Sequence, residues 1–188
     1  QILERVLNLH LEQATYVRSE EEREYDKNWK TWDGNGRKGP EPKVSTTRSM
    51  GYWKSVIQEA SQIIQEYPRS ENADQITYSK AMALMYLGKE KDAARIFTQL
   101  IQKYPNSPIA GDAYASLGDY YFDRNDFNNA QTNFQKALKY KRSKRYLWSI
   151  FKLGWCSYNL QDYRKSLNYW KQLVTIAKGS GQQDLQLR

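Results

Sequence analysis

Two residue types that could do acid–base or nucleophilic chemistry occur once each in this chain. His10 is the only histidine and Cys156 the only cysteine. A general base or an activated nucleophile needs a second group to orient or charge it. His10 lies between Leu9 and Leu11, and Cys156 lies inside the apolar run Leu153 to Leu160. We read His10 as a surface or helix-packing residue and Cys156 as a buried, inert thiol. No Gly-rich phosphate loop and no H-E-x-x-H pair is present. Asp33-Gly34-Asn35-Gly36 begins like a calcium loop, but the alternating ligands and the downstream Glu are missing. The expectation is a non-enzymatic chain with no catalytic residue, no cofactor and no metal.

What remains is binding chemistry, and it has two candidate carriers. One is the stretch Lys139-Tyr140-Lys141-Arg142-Ser143-Lys144-Arg145-Tyr146. No Asp or Glu occurs between Asp126 and Asp162, whereas Lys136, Lys139, Lys141, Arg142, Lys144, Arg145 and Lys152 all do. Cations interleaved with Tyr can neutralise phosphates and stack bases. The same stretch also reads as a turn between helices, where solvated charge is ordinary. The second carrier is the aromatic content, 14% of the chain with 15 Tyr and 6 Trp. Aromatic side chains are the commonest anchors of protein interfaces.

Composition bounds these readings. The chain has 188 residues and a formal charge of +8. That length fits one domain or a short repeat array and is enough to bury a core. A disordered polar chain is poorer in aromatics. A mean hydropathy of -0.90 with no long apolar run gives no membrane span. One cysteine allows no intramolecular disulfide, which says little about compartment. The chain begins with Gln1, so it reads as a processed protein or a fragment. Residues 1–32 carry seven acids and five bases, net -2, which leaves +10 for the rest.

The elements that must position the aromatics follow from a repeat. Tyr67-Pro68-Arg69-Ser70, Tyr104-Pro105-Asn106-Ser107 and Tyr140-Lys141-Arg142-Ser143 recur at spacings of 37 and 36 residues. Pro ends a helix, and the Ser is expected to cap the next one. Ser107-Pro108 would place Pro at the first helical position, and Lys141 and Arg142 would sit at the negative end of a helix dipole. Helical periodicity between these marks predicts antiparallel helix pairs over 70–105, 107–141 and 143–178. Ahead of them, 1–67 reads as an atypical capping pair. Its first helix carries Leu3, Leu7, Leu11, Ala14 and Val17. Its second carries Tyr52, Val56, Ile57, Ala60, Ile63 and Ile64. Between them lies a flexible Gly/Pro loop, 33–44. The run Ser19-Glu20-Glu21-Glu22-Arg23-Glu24 is expected to be a solvated face. Residues 179–188 read as the truncated start of another repeat.

Within one unit Leu117, Gly118, Tyr121, Ala130, Phe134 and Ala137 occupy set offsets, with Tyr114 three residues ahead of Leu117. Leu153, Gly154, Tyr163 and Trp170 follow in the next unit, and Ala93, Phe97 and Pro105 in the one before. This pattern resembles the tetratricopeptide repeat, and the Y-P-x-S junction resembles the subclass found in bacterial envelope proteins such as outer-membrane-assembly lipoproteins and the periplasmic Tol-Pal coordinator. The resemblance implies an all-α solenoid of stacked helix pairs wound into a right-handed superhelix, a protein-binding scaffold, and a periplasmic or outer-membrane-associated setting, with a cytoplasmic one still open. It implies that the first helix of each pair lines a groove. Carried over position by position, the lining residues are Tyr78, Met82, Met85 and Tyr86, then Ala115, Asp119, Phe122 and Asp123, then Phe151, Trp155, Tyr158 and Asn159. These positions lack the cations that the family uses to clamp a C-terminal carboxylate. The expected occupant is therefore an apolar or helical peptide, or a partner subunit. The alternative is a polyanion, an acidic membrane surface ahead of a nucleic acid, held by Lys139, Lys141, Arg142, Lys144 and Arg145.

Overall fold

The computed structural model describes residues 2–179. Among the described residues there are eight α-helices and no strand. They are α1 (Ile2–Gly34), α2 (Thr47–Glu66), α3 (Ala73–Tyr86), α4 (Glu90–Lys103), α5 (Ala110–Phe122), α6 (Phe127–Ala137), α7 (Tyr146–Asn159) and α8 (Tyr163–Gly179). This is an all-α helical repeat fold. The chain forms two compact units, Gln1–Ala93 and Ala94–Arg188. The further repeat expected beyond Gly179 lies outside the described residues.

In the first unit α1 and α2 pack side by side. Leu7 and Ala14 of α1 are buried among Trp53, Val56, Ala60 and Ile63 of α2, and Ile76 and Ala83 of α3 join the same cluster. The solvated-face reading of residues 19–24 fails at Glu21, which is only 1% exposed. Its carboxylate accepts from the Ser49 hydroxyl at 2.5 Å and from the backbone N–H groups of Arg48 at 2.9 Å and Ser49 at 3.3 Å. Those N–H groups belong to the first turn of α2, and Thr46 provides no side-chain cap there. Glu21 thus caps α2 from a neighbouring helix, at the end where a negative charge is favoured. Burial raises the Glu21 pKa, but the Ser49 and backbone hydrogen bonds and the nearby Arg48 outweigh it, and the net shift is downward. The Gly/Pro segment read as flexible folds back on α1. The Trp32 indole donates to the Gly39 carbonyl at 3.1 Å.

In the second unit the helix pairs meet through a ring laid on a glycine. A Cβ on Gly118 would stand 2.6 Å from the Phe134 ring, and one on Gly154 would stand 2.1 Å from the Trp170 indole nitrogen. Only a missing side chain permits that approach. Phe134 is buried with Ala115, Ala130, Ala137, Leu153 and Cys156. Burial pushes the Cys156 thiol up to about 12, against the pull of Lys152, which agrees with an inert thiol.

The helix ends repeat as strictly as the cores. Gly88, Asn125 and Gln161 have φ of 71°, 59° and 62°. Each lies just past α3, α5 or α7. The following N–H groups, of Lys89, Asp126 and Asp162, reach back to Leu84, Tyr121 and Ser157 at 2.9, 3.0 and 2.9 Å. This is the left-handed C-terminal motif that satisfies orphan carbonyls. The Y-P-x-S junctions correct an expectation. Ser70, Ser107 and Ser143 do not cap the α-helices, whose N-caps fall two residues later, at Asn72, Ile109 and Arg145. Instead each Ser N–H donates to the junction Tyr carbonyl at 3.0, 3.1 and 2.9 Å, and each Ser carbonyl accepts from the first helical N–H at 3.1 Å. The Ser hydroxyls accept from the N–H two residues on, at 3.3, 3.1 and 3.1 Å. Two consecutive turns thus precede each helix, so Pro108 sits in a turn and not at the first helical position. Lys141 takes the place of Pro without changing this geometry.

Candidate partner-binding face

The face of interest in the second unit is built by α5 and α7. Tyr146 starts α7 three residues after Ser143 of the third junction, and the junction is fixed by α5: the Ser143 hydroxyl donates to Asp112 at 2.6 Å, and the Arg145 N–H donates to the same oxygen at 3.1 Å. Gly111 lets the junction sit close, since a Cβ there would meet Tyr140 at 2.5 Å. The Tyr140 hydroxyl donates to the Pro105 carbonyl at 2.8 Å, tying this junction to the one before.

From that start, α7 presents Trp148, Phe151, Trp155 and Tyr158 at spacings of three and four residues, one stripe of a helix. Successive ring centroids are 5.7, 6.2 and 5.8 Å apart, the last two edge-to-face. Trp170 and Tyr163 of α8 extend the group, at 5.3 Å from Trp155 and 5.4 Å from Tyr158. Trp155 and Tyr158 are nevertheless 39% and 48% exposed. Rings that are locked by neighbours yet open to solvent are pre-ordered anchors.

The predicted lining residues divide into three groups. Phe151, Trp155 and Tyr158 come together as above, whereas the Asn159 amide donates to the Trp155 carbonyl within its own helix at 2.8 Å. Asp119 is engaged inside the protein. It accepts from Arg145 at 2.5 Å and from the Trp148 indole at 3.0 Å, with the Lys152 ammonium at 3.9 Å. Phe122 is half-buried against Phe127, with Lys152 4.0 Å from its ring centroid, and Asp123 is exposed at the end of α5. Ala115 is wholly buried and lines nothing, a correction forced by its place against Phe134. In the first unit Tyr78, Met82 and Met85 are half-buried on α3. Tyr86 stacks on buried Trp53 at 4.3 Å and 13°, so one face of its ring belongs to the core.

Of the basic group, Lys139, Lys141, Arg142 and Lys144 are exposed. Arg145 departs from it, because its guanidinium also reaches the Ser116 hydroxyl at 3.0 Å. Two members of the aromatic face, Trp148 and Lys152, were not singled out from sequence as lining residues. The spacing 148, 151, 155, 158 was the available signal. Among the described residues no cluster of His, Cys, Asp and Glu suits a metal ion, and no helix is long and apolar enough to cross a membrane.

Comparison with known proteins decides the family of the repeats. A tetratricopeptide repeat model matches residues 78–107 and 148–180, and a second matches 111–144. The chain carries tetratricopeptide repeats. Its fold is similar to that of BtubC (BKLC) from P. vanneervenii, with a TM-score of 0.58 at 14% identity over 97% of this chain and 95% of that one. A crystal structure of MamA protein gives 0.57 at 15% identity over 97% of both chains. TPR-like repeats of a kinesin light chain from Podosopora anserina give 0.56 at 14% identity over 88% and 76%. At these identities the likeness is one of fold. No curated protein matches the chain. The tetratricopeptide repeats and the helical-repeat fold make this a protein–protein interaction scaffold.

Proposed function

We propose that the α5–α7 face of this scaffold binds an apolar or helical peptide segment of a partner protein. The observation that carries the reading is the exposed pair Trp155 and Tyr158, held edge-to-face at 5.8 Å on a stripe that begins at Trp148. Large rings already ordered in the free protein lose little entropy on binding. The charges beside them refine the ligand. Arg145 and Lys152 together face one carboxylate, Asp119, so the stripe keeps an excess positive charge. A peptide with aromatic or aliphatic anchors and a nearby carboxylate suits it. The Y-P-x-S junctions add a setting to the proposal, a multiprotein assembly of the bacterial cell envelope.

The test is selection of peptides from a displayed random library on the wild-type chain. Enriched sequences are expected to share an apolar anchor and to lose binding to the Trp155→Ala/Tyr158→Ala variant, with its helical content intact by circular dichroism. Equal binding to that variant sinks the assignment.

A second reading has its own observation. Lys139, Lys141, Arg142 and Lys144 are exposed in one turn, and among the described residues none forms an ion pair. We propose this turn as the contact for an acidic surface, an anionic membrane ahead of nucleic acid. Vesicles containing anionic lipid are expected to bind the chain in a salt-dependent manner and to release a variant in which all four are Gln. Indifference to the substitution removes the reading.

A further inference from the structure

A cavity of about 210 Å³ opens between α1 and α3 in the first unit. Its floor is apolar, with Leu7 and Ile76 only 2% and 4% exposed. Its walls are polar. Glu4 and Asn8 come from α1, Asn72 and Gln75 from the start of α3, and Ser79 from one turn further on. Ser79 is 6% exposed, yet among the described residues its hydroxyl has no hydrogen-bond partner. A buried hydroxyl left unpaired is costly, and this one lines the cavity. The side-chain amides of Asn8 and Gln75 are likewise unpaired among the described residues. Glu4 is fixed in place: the Ser70 hydroxyl donates to one carboxylate oxygen at 2.7 Å, and the Asn72 amide donates to the other at 3.2 Å. Those two bonds lower its pKa. A carboxylate offers about four acceptor sites, so it can still accept more. The residues that line the cavity include no cation.

The second unit shows what such a cleft can hold. Glu4 corresponds to Asp112: each is the third residue of its helix, and each accepts from the Ser of a junction, Ser70 or Ser143. In that register Asn8 corresponds to Ser116. Counting on from the two junction serines, Asn72, Gln75 and Ser79 correspond to Arg145, Trp148 and Lys152. The α5–α7 cleft is therefore occupied from within. The Arg145 guanidinium reaches Ser116 at 3.0 Å and Asp119 at 2.5 Å, and the Trp148 indole and Lys152 ammonium converge on the same Asp119. In the first unit three large side chains are exchanged for small ones, while acceptors remain at the positions of Asp112 and Ser116. Asp119 has Leu11 as its counterpart, so Glu4 supplies the charge of the α1–α3 cleft.

We propose that the α1–α3 cleft is a socket for an arginine side chain of a partner protein. The guanidinium takes the place that Arg145 fills in the second unit. Its planar fork of five donors matches a carboxylate, amide oxygens and a hydroxyl set round one wall, whereas a Lys ammonium is a point charge with three. Its aliphatic stem lies over Leu7 and Ile76. The size agrees. The cavity is smaller than the roughly 300–1,000 Å³ of small-molecule sites and equals the volume of about seven waters at ~30 Å³ each. The socket goes beyond the aromatic face of the second unit and uses none of its residues.

The test is titration of the full chain with the peptide acetyl-Ala-Ala-Arg-Ala-Ala-amide, followed by nuclear magnetic resonance of the side-chain amides. Saturable shifts are expected at Asn8, Asn72 and Gln75. The same peptide with citrulline, which keeps the shape and loses the charge, is expected to bind on the order of tenfold or more weaker, and Glu4→Gln to weaken the arginine peptide by a similar factor. The lysine peptide is expected to bind less tightly than the arginine one. Asn72→Arg and Ser79→Lys give the first unit the residues of the second, at positions where α7 already tolerates them. Each is expected to fill the cleft and abolish binding while leaving Glu4 and its junction bonds in place. Absence of a saturable shift overturns the proposal. So does equal binding of the citrulline peptide, or Asn72→Arg binding like the wild type. The Trp155→Ala/Tyr158→Ala variant is expected to bind the arginine peptide unchanged, so the two proposals fail separately.

Discussion

The α1–α2 pair and the α5–α6 and α7–α8 pairs solve one problem in different ways. Two helices must approach closely and still satisfy the polar groups at their ends. The repeat pairs use shape: Gly118 under Phe134 and Gly154 under Trp170. Their ends are closed locally, by Asp126 accepting the Asn129 N–H at 3.1 Å and Asp162 the Lys165 N–H at 3.1 Å. The α1–α2 pair has no ring on a glycine. Ala14 and Ala60 lie fully buried in its core, and a buried carboxylate from α1 closes the end of α2. A repeat can reuse a local cap in every copy. A cap borrowed from another helix is particular to one pair, and it couples the stability of that pair to pH.

The largest effect that tests this contrast is on the shape side. Phe134→Ala is expected to cost about 3–5 kcal/mol in denaturant unfolding, as for other buried rings. A loss under 1 kcal/mol would show that the ring and glycine do not hold the pair. On the polar side, Glu21→Ala is expected to cost about 2–3 kcal/mol, because the Ser49 hydroxyl and two N–H groups lose a charged acceptor in a buried place. The sign with pH is fixed. The carboxyl pKa is lowered by folding, so its contribution is complete above the unfolded value and fades as pH falls through the folded one. Glu21→Gln should therefore flatten the acid limb of the stability curve, and an unchanged limb would mean that Glu21 is not the latch. Next, Gly118→Ala and Gly154→Ala are expected to cost about 1–3 kcal/mol each by overpacking. Gly118→Ala combined with Phe134→Leu should lose less than the sum of the two changes. The smallest effect concerns the helix ends. Gln161 holds a left-handed conformation that Gly88 holds freely, so Gln161→Gly should stabilise by up to about 1 kcal/mol, and Gly88→Gln should cost a similar amount.

Much of the fold was readable because each repeat meets the same demand with the same residues. The Tyr and Ser of the junctions, the Gly and ring of the cores and the acid at the second helix recur in phase. What escaped reading is of another kind. Nothing in Glu20-Glu21-Glu22 marks the middle one as inward, since the signal is the uncapped start of α2, 27 residues away. Arg145 looked like one more surface cation because its partner Asp119 is 26 residues back. The Ser of each junction was placed one turn too late, because a Ser before a turn and a Ser before a helix satisfy the same kind of N–H. For the aromatic face, the spacing of Phe151, Trp155 and Tyr158 was legible. The exclusion of Ala115 was not, because a small residue at that offset suits a core and a groove wall equally.

The stack of Tyr86 on Trp53 has an optical consequence. Two rings held 4.3 Å apart and nearly parallel in a chiral setting couple their electronic transitions, so the first unit should carry a near-ultraviolet circular dichroism band of its own among the six tryptophans. Losing that band while the far-ultraviolet helix signal persists would time the loosening of α3 from α2 directly, with no label attached.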